Sequence, residues 1–203
     1  GERALCETAR RLSCGEEIGE IRDVPGTMYK EGVKDSRERV SEAVILPTYR
    51  EVTESGEAFA RACRMIGEEQ DPVRGRPLLQ HHPKVNVIQN PPSRPLPSKE
   101  LDSLYELPFT RTEHPSYREA IPALEPVKFS LVTHRGCFGN CKFCALSCHQ
   151  GCIIQSRSTE SLVREVMMMT RLPGWKGVIQ DAGGPTANMY GMFCRQWGSQ
   201  GTC

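Results

Sequence analysis

The residues best suited to bind a metal are cysteines clustered in the C-terminal third of the sequence. Five of the ten cysteines lie between Cys137 and Cys152. Cys137, Cys141 and Cys144 form a C-x3-C-x2-C pattern, and a compact loop can bring thiolates at these intervals around one iron–sulfur cluster. A cubane cluster has four irons, so three protein ligands leave one iron open to bind and activate a small molecule. The pattern places the ring of Phe143 beside that open iron.

Other ligand sets are compatible with the same stretch. Cys148 extends the pattern to C-x3-C-x2-C-x3-C, which would give a closed, ferredoxin-like cluster for electron transfer or structure. Against this, His149 follows where ferredoxin sequences have proline. A structural zinc site is a further alternative, although zinc ligands usually come from two separated segments. We favour Cys148 and Cys152 as small hydrophobic side chains or surface thiols.

The elements around the cysteines predict a βαβ unit. Residues 127–133 are an apolar, β-branched run typical of a buried strand, and residues 159–171 have helical periodicity with Ser158 as N-cap. A second strand is predicted at residues 177–180, before a glycine pair at 183–184. The residues predicted to form the buried stripe of the helix are Leu162, Val163, Val166 and Met167. Because parallel strands end at one edge, the cysteine loop and the glycine pair should meet there.

The first two thirds of the sequence predict an α/β layer. Helices are expected at residues 2–12 and 55–69, and strands at residues 18–23 and 43–46.

A proline-rich connector should follow this layer. Eleven of the fifteen prolines fall within residues 71–126, so regular structure there should be short, with one strand at 85–88. Its apolar side chains favour a connector that wraps a folded surface. The predicted organisation is therefore an α/β region at 1–70, the connector at 71–126 and a third region at 127–203.

Composition narrows the classes of function. Twenty-six Lys and Arg residues face 25 Asp and Glu residues, giving a net charge of +1 and no strong nucleic-acid or membrane-surface signal. Apolar runs such as residues 43–46 are far too short to span a bilayer. No secretory signal is visible at the start of the sequence. Clustered thiols without such a signal predict a reducing compartment, the cytoplasm.

Longer stretches of the sequence resemble a known family. The cysteine pattern, with an aromatic residue before its last cysteine, resembles the signature of the radical S-adenosylmethionine (SAM) superfamily. THRGCFGNCKFCALSCHQGCIIQSRSTESL and GVIQDAGGPTANMYGM are similar to YgiQ-type radical SAM proteins, as are IRDVPGTMYK, IQNPPSRPLP and LYELPFTRTEHPSY. The resemblance extends from about Gly1 to Met192. It implies a partial Rossmann-like α/β region and a connector, followed by the first βαβ of a partial (β/α) barrel.

The resemblance also implies cofactors and roles. Cys137, Cys141 and Cys144 would ligate a [4Fe-4S] cluster whose open iron binds SAM. The residues implied to contact SAM are Phe143, Gly183, Gly184, Pro185 and Thr186. The implied reaction is reductive cleavage of SAM to a deoxyadenosyl radical that abstracts hydrogen from an unknown substrate. An electron donor such as flavodoxin or ferredoxin would be the partner.

The chain differs from the family in its length, and the role of one pair of residues stays open. YgiQ-type proteins are much longer, so this chain should lack an N-terminal part and most of the barrel, and should turn over little substrate alone. Arg157 and Glu165 form either an ion pair or part of the SAM pocket.

Overall fold

A computed structural model of the chain describes residues 1–33, 42–141, 143–184 and 187–202. Packing divides it into two compact units, Gly1–Arg94 with Arg195–Cys203, and Pro95–Cys194. The predicted boundaries at residues 70 and 126 stay predictions. Among the described residues, no helix combines the length and apolarity needed to cross a lipid bilayer.

The first unit is built on a four-stranded mixed sheet. Its elements are α1 (Glu2–Ser13), β1 (Met28–Gly32), β2 (Val44–Ile45), α2 (Tyr49–Glu54), α3 (Gly56–Glu68), β3 (Leu78–His81), β4 (Val85–Gln89) and a short C-terminal helix, Trp197–Gln200. The strand order is β1-β4-β3-β2, with β2 and β3 parallel and the other pairs antiparallel. The helices predicted at 2–12 and 55–69 and the strands at 43–46 and 85–88 are confirmed, with small shifts at their ends.

The prediction of a strand at residues 18–23 is wrong. These residues form turns and irregular chain, and Ile21 and Val24 pack against Ala4 of α1. The side chain of Asn90 donates hydrogen bonds to the carbonyl oxygens of Arg22 at 2.9 Å and Val24 at 3.1 Å. A side chain therefore satisfies backbone acceptors that a neighbouring strand would otherwise pair.

The proline-rich connector holds more regular structure than its composition predicts. It includes β3 as well as the expected β4, and also α4 (Ser98–Tyr105). The prolines flank these elements instead of interrupting them: Pro77 precedes β3, Pro83 separates β3 from β4, and Pro97 occupies the position before α4. Proline is tolerated at such boundaries because its missing N–H has no ladder or helix partner to lose.

The second unit contains the predicted βαβ. In addition to α4, its elements are β5 (Ser130–Val132), β6 (His134–Arg135), α5 (Leu146–Gln150), β7 (Gln155–Ser156), α6 (Thr159–Met169) and β8 (Asp181–Gly183). Strands β5 and β8 are parallel neighbours, and α6 lies between them in the chain. The core beneath α6 is Phe129, Leu131 and Met169, with the ring of Trp175 edge-on to Phe129 at 5.3 Å. The fold class is therefore α/β, as predicted.

The second strand of the βαβ begins four residues later than predicted, at Asp181–Gly183 instead of 177–180. The chain before β5 turns, because the amide of Lys128 bonds to Leu124. Pairing therefore begins only at Ser130, whose partner is Asp181. The apolar residues at 178–179 resemble a strand in composition but have no partner strand among the described residues.

The buried stripe of α6 is partly rotated from its predicted position, since Leu162 and Val166 pack against the core as predicted but Val163 and Met167 do not. Val163 and Met167 are 55% and 54% exposed, whereas Ser161, Glu165 and Met169 are buried. Ser158 caps the helix as predicted, accepting a hydrogen bond from the amide of Ser161 at 3.1 Å. A polar partner for Glu165 causes the rotation, as the site geometry shows.

Candidate functional site

The cysteine loop and the glycine pair leave adjacent strand ends. Val132, the last residue of β5, pairs with Gly183, the last residue of β8. The next amide, that of Thr133, donates to the carbonyl oxygen of Gly183 at 2.8 Å. The expectation that both segments meet at the carboxyl edge of the parallel pair is confirmed.

A two-stranded ribbon closes the base of the cysteine loop, residues 136–154. Strand β6 before the loop pairs antiparallel with β7 after it. Gly136 has a φ of 92°, and a Cβ there would lie 2.3 Å from the carbonyl oxygen of Ile153. The amide of Cys137 donates to the carbonyl oxygen of Gly151 at 3.0 Å. The loop is thus fixed at its base, where only glycine fits both the backbone angle and the space.

Two of the three predicted ligands border one small space. A Cβ added to Gly139 would lie 3.4 Å from the Sγ of Cys137 and 3.7 Å from the Sγ of Cys141. Cys137 is buried and Cys141 is exposed. Both sulfurs therefore lie within 4 Å of one point beside Gly139.

The third predicted ligand, Cys144, is half-buried, and its amide donates to the carbonyl oxygen of Cys141 at 2.9 Å. No set of three possible metal ligands is gathered in the part of the chain that the structure describes. Three thiols on one loop fit a thiolate-ligated iron–sulfur cluster in donor type, although only the sulfurs of Cys137 and Cys141 lie near a common point.

The other predicted residues of the loop lie at its surface. Phe143 is 94% exposed, so its ring packs against little of the chain. Cys148 lies exposed on α5, and Cys152 is half-buried beyond it. The structure leaves the ring of Phe143 accessible to a planar ligand.

The two glycines after β8 have different surroundings. No described atom lies within 4 Å of a Cβ placed on Gly183, apart from its chain neighbours. A Cβ on Gly184 would lie 2.4 Å from the Nε2 atom of His134. Pro185 and Thr186, also predicted to contact SAM, lie outside the described residues.

His134 is a site residue that the sequence reasoning missed. It directly follows Thr133 at the edge and is 0% exposed. Burial lowers the pKa of its imidazole, and a hydrogen bond with the backbone of Ala187 partly offsets this. The signal available in the sequence was a titratable residue immediately after a predicted buried strand and shortly before the cysteines.

A buried charge network lies beneath the same edge. Arg157 and Glu165, left open between two roles, form an ion pair with side chains 1% and 5% exposed. Glu165 also pairs with Arg111. The guanidinium carbon of Arg157 lies 4.2 Å from the ring centroid of Tyr105 on α4. The need to bury Glu165 beside two guanidinium groups explains the rotated stripe of α6.

Comparison with known proteins assigns the family. The family model described as Radical SAM N-terminal matches residues 1–130. The chain belongs to the Radical SAM N-terminal family. The match ends at Ser130, the first residue of β5, so the cysteine loop lies beyond it.

Curated relatives of this Radical SAM N-terminal chain align with all of it. A UPF0313 protein of Methanosarcina acetivorans is 48% identical over 225 residues, covering 100% of this chain and 30% of that protein. UPF0313 proteins of Methanocella arvoryzae and Clostridium botulinum are 48% and 42% identical over the whole chain, which covers 33% and 31% of them. The chain spans about a third of the length of these relatives. No solved structure matches.

Proposed function

We propose that this chain is part of a YgiQ-type radical SAM enzyme, in which Cys137, Cys141 and Cys144 hold a [4Fe-4S] cluster with SAM at the open iron. One observation carries the proposal. In a chain of a radical SAM family, the three-cysteine loop and the glycine pair leave adjacent ends of parallel strands, the edge where α/β folds bind ligands. When bound, such a cluster supplies the electron that cleaves SAM and generates a deoxyadenosyl radical.

The chain's own residues prepare this site. The ribbon and Gly136 fix the start of the cysteine loop, while the exposed Cys141 leaves its far part accessible to iron. The backbone at Gly183 is open on its side-chain face, so a ligand can approach the main chain there. The exposed ring of Phe143 offers an apolar face to the adenine. The three thiols must be deprotonated to bind iron, so cluster uptake releases protons.

We also propose a class of substrate, an electron donor and a cellular compartment for the enzyme. The substrate is a molecule from which hydrogen can be abstracted, and its contacts belong to the longer protein. A low-potential electron donor such as flavodoxin or ferredoxin supplies the reducing electron. Thiolates and an exposed iron require a reducing compartment, which favours the cytoplasm.

Anaerobic reconstitution with iron and sulfide tests the ligand set. We expect Cys144→Ala to lose the brown absorbance and bound iron, and Cys148→Ala, the matched control, to keep both. The reduced cluster should then change its EPR spectrum when SAM is added, because SAM binds the open iron. Equal losses in both variants would indicate a closed cluster with four cysteine ligands. Zinc in place of iron, or an EPR spectrum of the reduced full-length protein that does not change with SAM, would refute the proposal.

A further inference from the structure

Each ring nitrogen of His134 contacts a different part of the chain. On one side, Nδ1 lies 2.9 Å from the hydroxyl oxygen of Thr133. On the other, Nε2 accepts a hydrogen bond from the amide of Met189 at 3.3 Å. The hydrogen bond from Met189 requires an unprotonated Nε2, as in the neutral imidazole. One side chain thus joins the end of β5 to the segment that follows β8.

Gly184 brings that segment close to the ring. Its backbone passes the imidazole at a distance that no side chain allows, because a Cβ would lie 2.4 Å from Nε2 and 2.5 Å from Cε1. The glycine and the histidine therefore fit each other as a pair. This gives Gly184 a packing role separate from any contact with a ligand.

Two further hydrogen bonds attach the same segment to the ribbon under the cysteine loop. The hydroxyl of Tyr190 donates to the carbonyl oxygen of Arg157 at 3.0 Å, and the amide of Gly191 donates to the hydroxyl oxygen of Ser156 at 2.9 Å. Both of these contacts lie at the surface or are half-buried, whereas His134 is fully buried. The histidine is the interior attachment point, where a lost hydrogen bond costs most.

We propose that His134 is a positioning residue that fixes Gly184 and residues 187–191 against the start of the cysteine loop, and thereby sets Gly183, the glycine open to SAM, relative to the cluster ligands. The part concerning SAM rests on the proposed function, whereas the attachment itself does not. His134 is three residues before Cys137, so a shift of the ring moves both halves of the site. The residue touches no reacting atom and acts through Gly184 and Met189.

Amide hydrogen exchange in the metal-free chain tests the attachment. In His134→Leu, which lacks an acceptor, the amide of Met189 should exchange about tenfold faster, since one buried hydrogen bond is lost. In His134→Gln, which keeps an acceptor near the Nε2 position, exchange should return to within about threefold of the wild type. The amides of α6 report whether the unit is folded. Unchanged exchange of Met189 in His134→Leu, with α6 intact, overturns the proposal.

A double-mutant cycle covers the case in which His134→Leu does not fold. Gly184→Ala should lower the thermal midpoint strongly in the wild type and much less in the His134→Ala background, where the clashing ring is absent. Equal losses in both backgrounds would show that the ring and the glycine do not touch, and overturn the proposal.

Titration of the reconstituted protein with SAM, followed by EPR, separates positioning from packing. His134→Leu should keep wild-type iron and sulfide but bind SAM about tenfold more weakly, and His134→Gln should recover the affinity. Wild-type affinity in His134→Leu would overturn the positioning role. A wild-type protein that takes up no cluster would instead refute the proposed function, and amide exchange would still decide the attachment.

Discussion

Replacing Glu165 by glutamine should strongly destabilise the second unit. The carboxylate lies between the guanidinium groups of Arg157 and Arg111, with all three side chains largely buried. Glutamine has nearly the same shape but no charge, and its single acceptor oxygen can replace only one of the two carboxylate oxygens, which face different guanidinium groups. Two positive charges would then be left together in the interior.

The magnitude follows from the bonds that remain. Breaking a buried ion pair by removing one partner costs about 3–5 kcal/mol. Arg111 still donates to the carbonyl oxygens of Lys128 at 2.9 Å and Ser130 at 3.1 Å. Arg157 still donates to the carbonyl oxygen of Val132 at 3.0 Å. Because these backbone bonds hold both guanidinium groups, we expect the low end, about 3 kcal/mol.

Tryptophan fluorescence during denaturation can measure the loss of stability in the second unit alone. Trp175 packs against Phe129 in the core beneath α6, and the other tryptophan, Trp197, belongs to the other unit. In a Trp197→Phe background, urea unfolding therefore reports the free energy of unfolding of the second unit.

The neighbouring residue on the same helix supplies the control. Arg164 pairs with Glu106 at the surface, where both side chains are more than half exposed. Arg164→Gln should cost less than about 1 kcal/mol, because exposed ion pairs contribute little. Equal costs for Glu165→Gln and Arg164→Gln would refute the view that the buried network holds α6 in place.

Three further predictions concern the strand edge and the helix cap. Because burial lowers the pKa of His134 below its ordinary 6.5, folding favours the neutral ring: its stabilisation is complete above pH 6.5 and is lost as the pH falls through the lowered pKa. Unfolding free energies from pH 5 to 7.5 should show this slope in the wild type and lose it in His134→Gln. Gly136→Ala should cost more than about 1 kcal/mol in urea unfolding, since its φ is positive and its Cβ meets the oxygen of Ile153. Ser158→Ala should remove the cap of α6 and cost about 1 kcal/mol by the same assay, and no loss would contradict the capping geometry.

Local pattern was sufficient to predict much of the fold. The helix at Thr159–Met169 and its cap were predictable because helical periodicity and the N-cap preference of serine act within a few residues. The βαβ followed from the order of its elements, and the meeting of the cysteine loop with the glycine pair followed from parallel pairing. The bounds of β8 were not predictable, because β8 can begin only where β5 provides a strand for pairing.

Contacts between distant residues were not predictable from one sequence. Arg111 lies 54 residues before Glu165, and nothing in its neighbourhood marks it as the partner of a carboxylate. The rotation of α6 depends on that pair, so the predicted stripe placed Val163 inward by hydrophobicity alone. His134 was missed for a similar reason, since its partner Met189 lies 55 residues later.

Gly183 and Gly184 have different surroundings in the structure, although the sequence predicts contact with SAM for both. Gly184 is explained by the imidazole that it faces, so Gly184→Ala should reduce stability even without any cofactor. Gly183 has an ordinary backbone angle and an empty side-chain position among the described residues, so Gly183→Ala should fold as the wild type does. If the open face of Gly183 serves ligand approach, the alanine variant should bind SAM more weakly while keeping its iron. Wild-type SAM affinity in Gly183→Ala, measured by EPR titration, would refute a role for the open face of Gly183 in ligand approach.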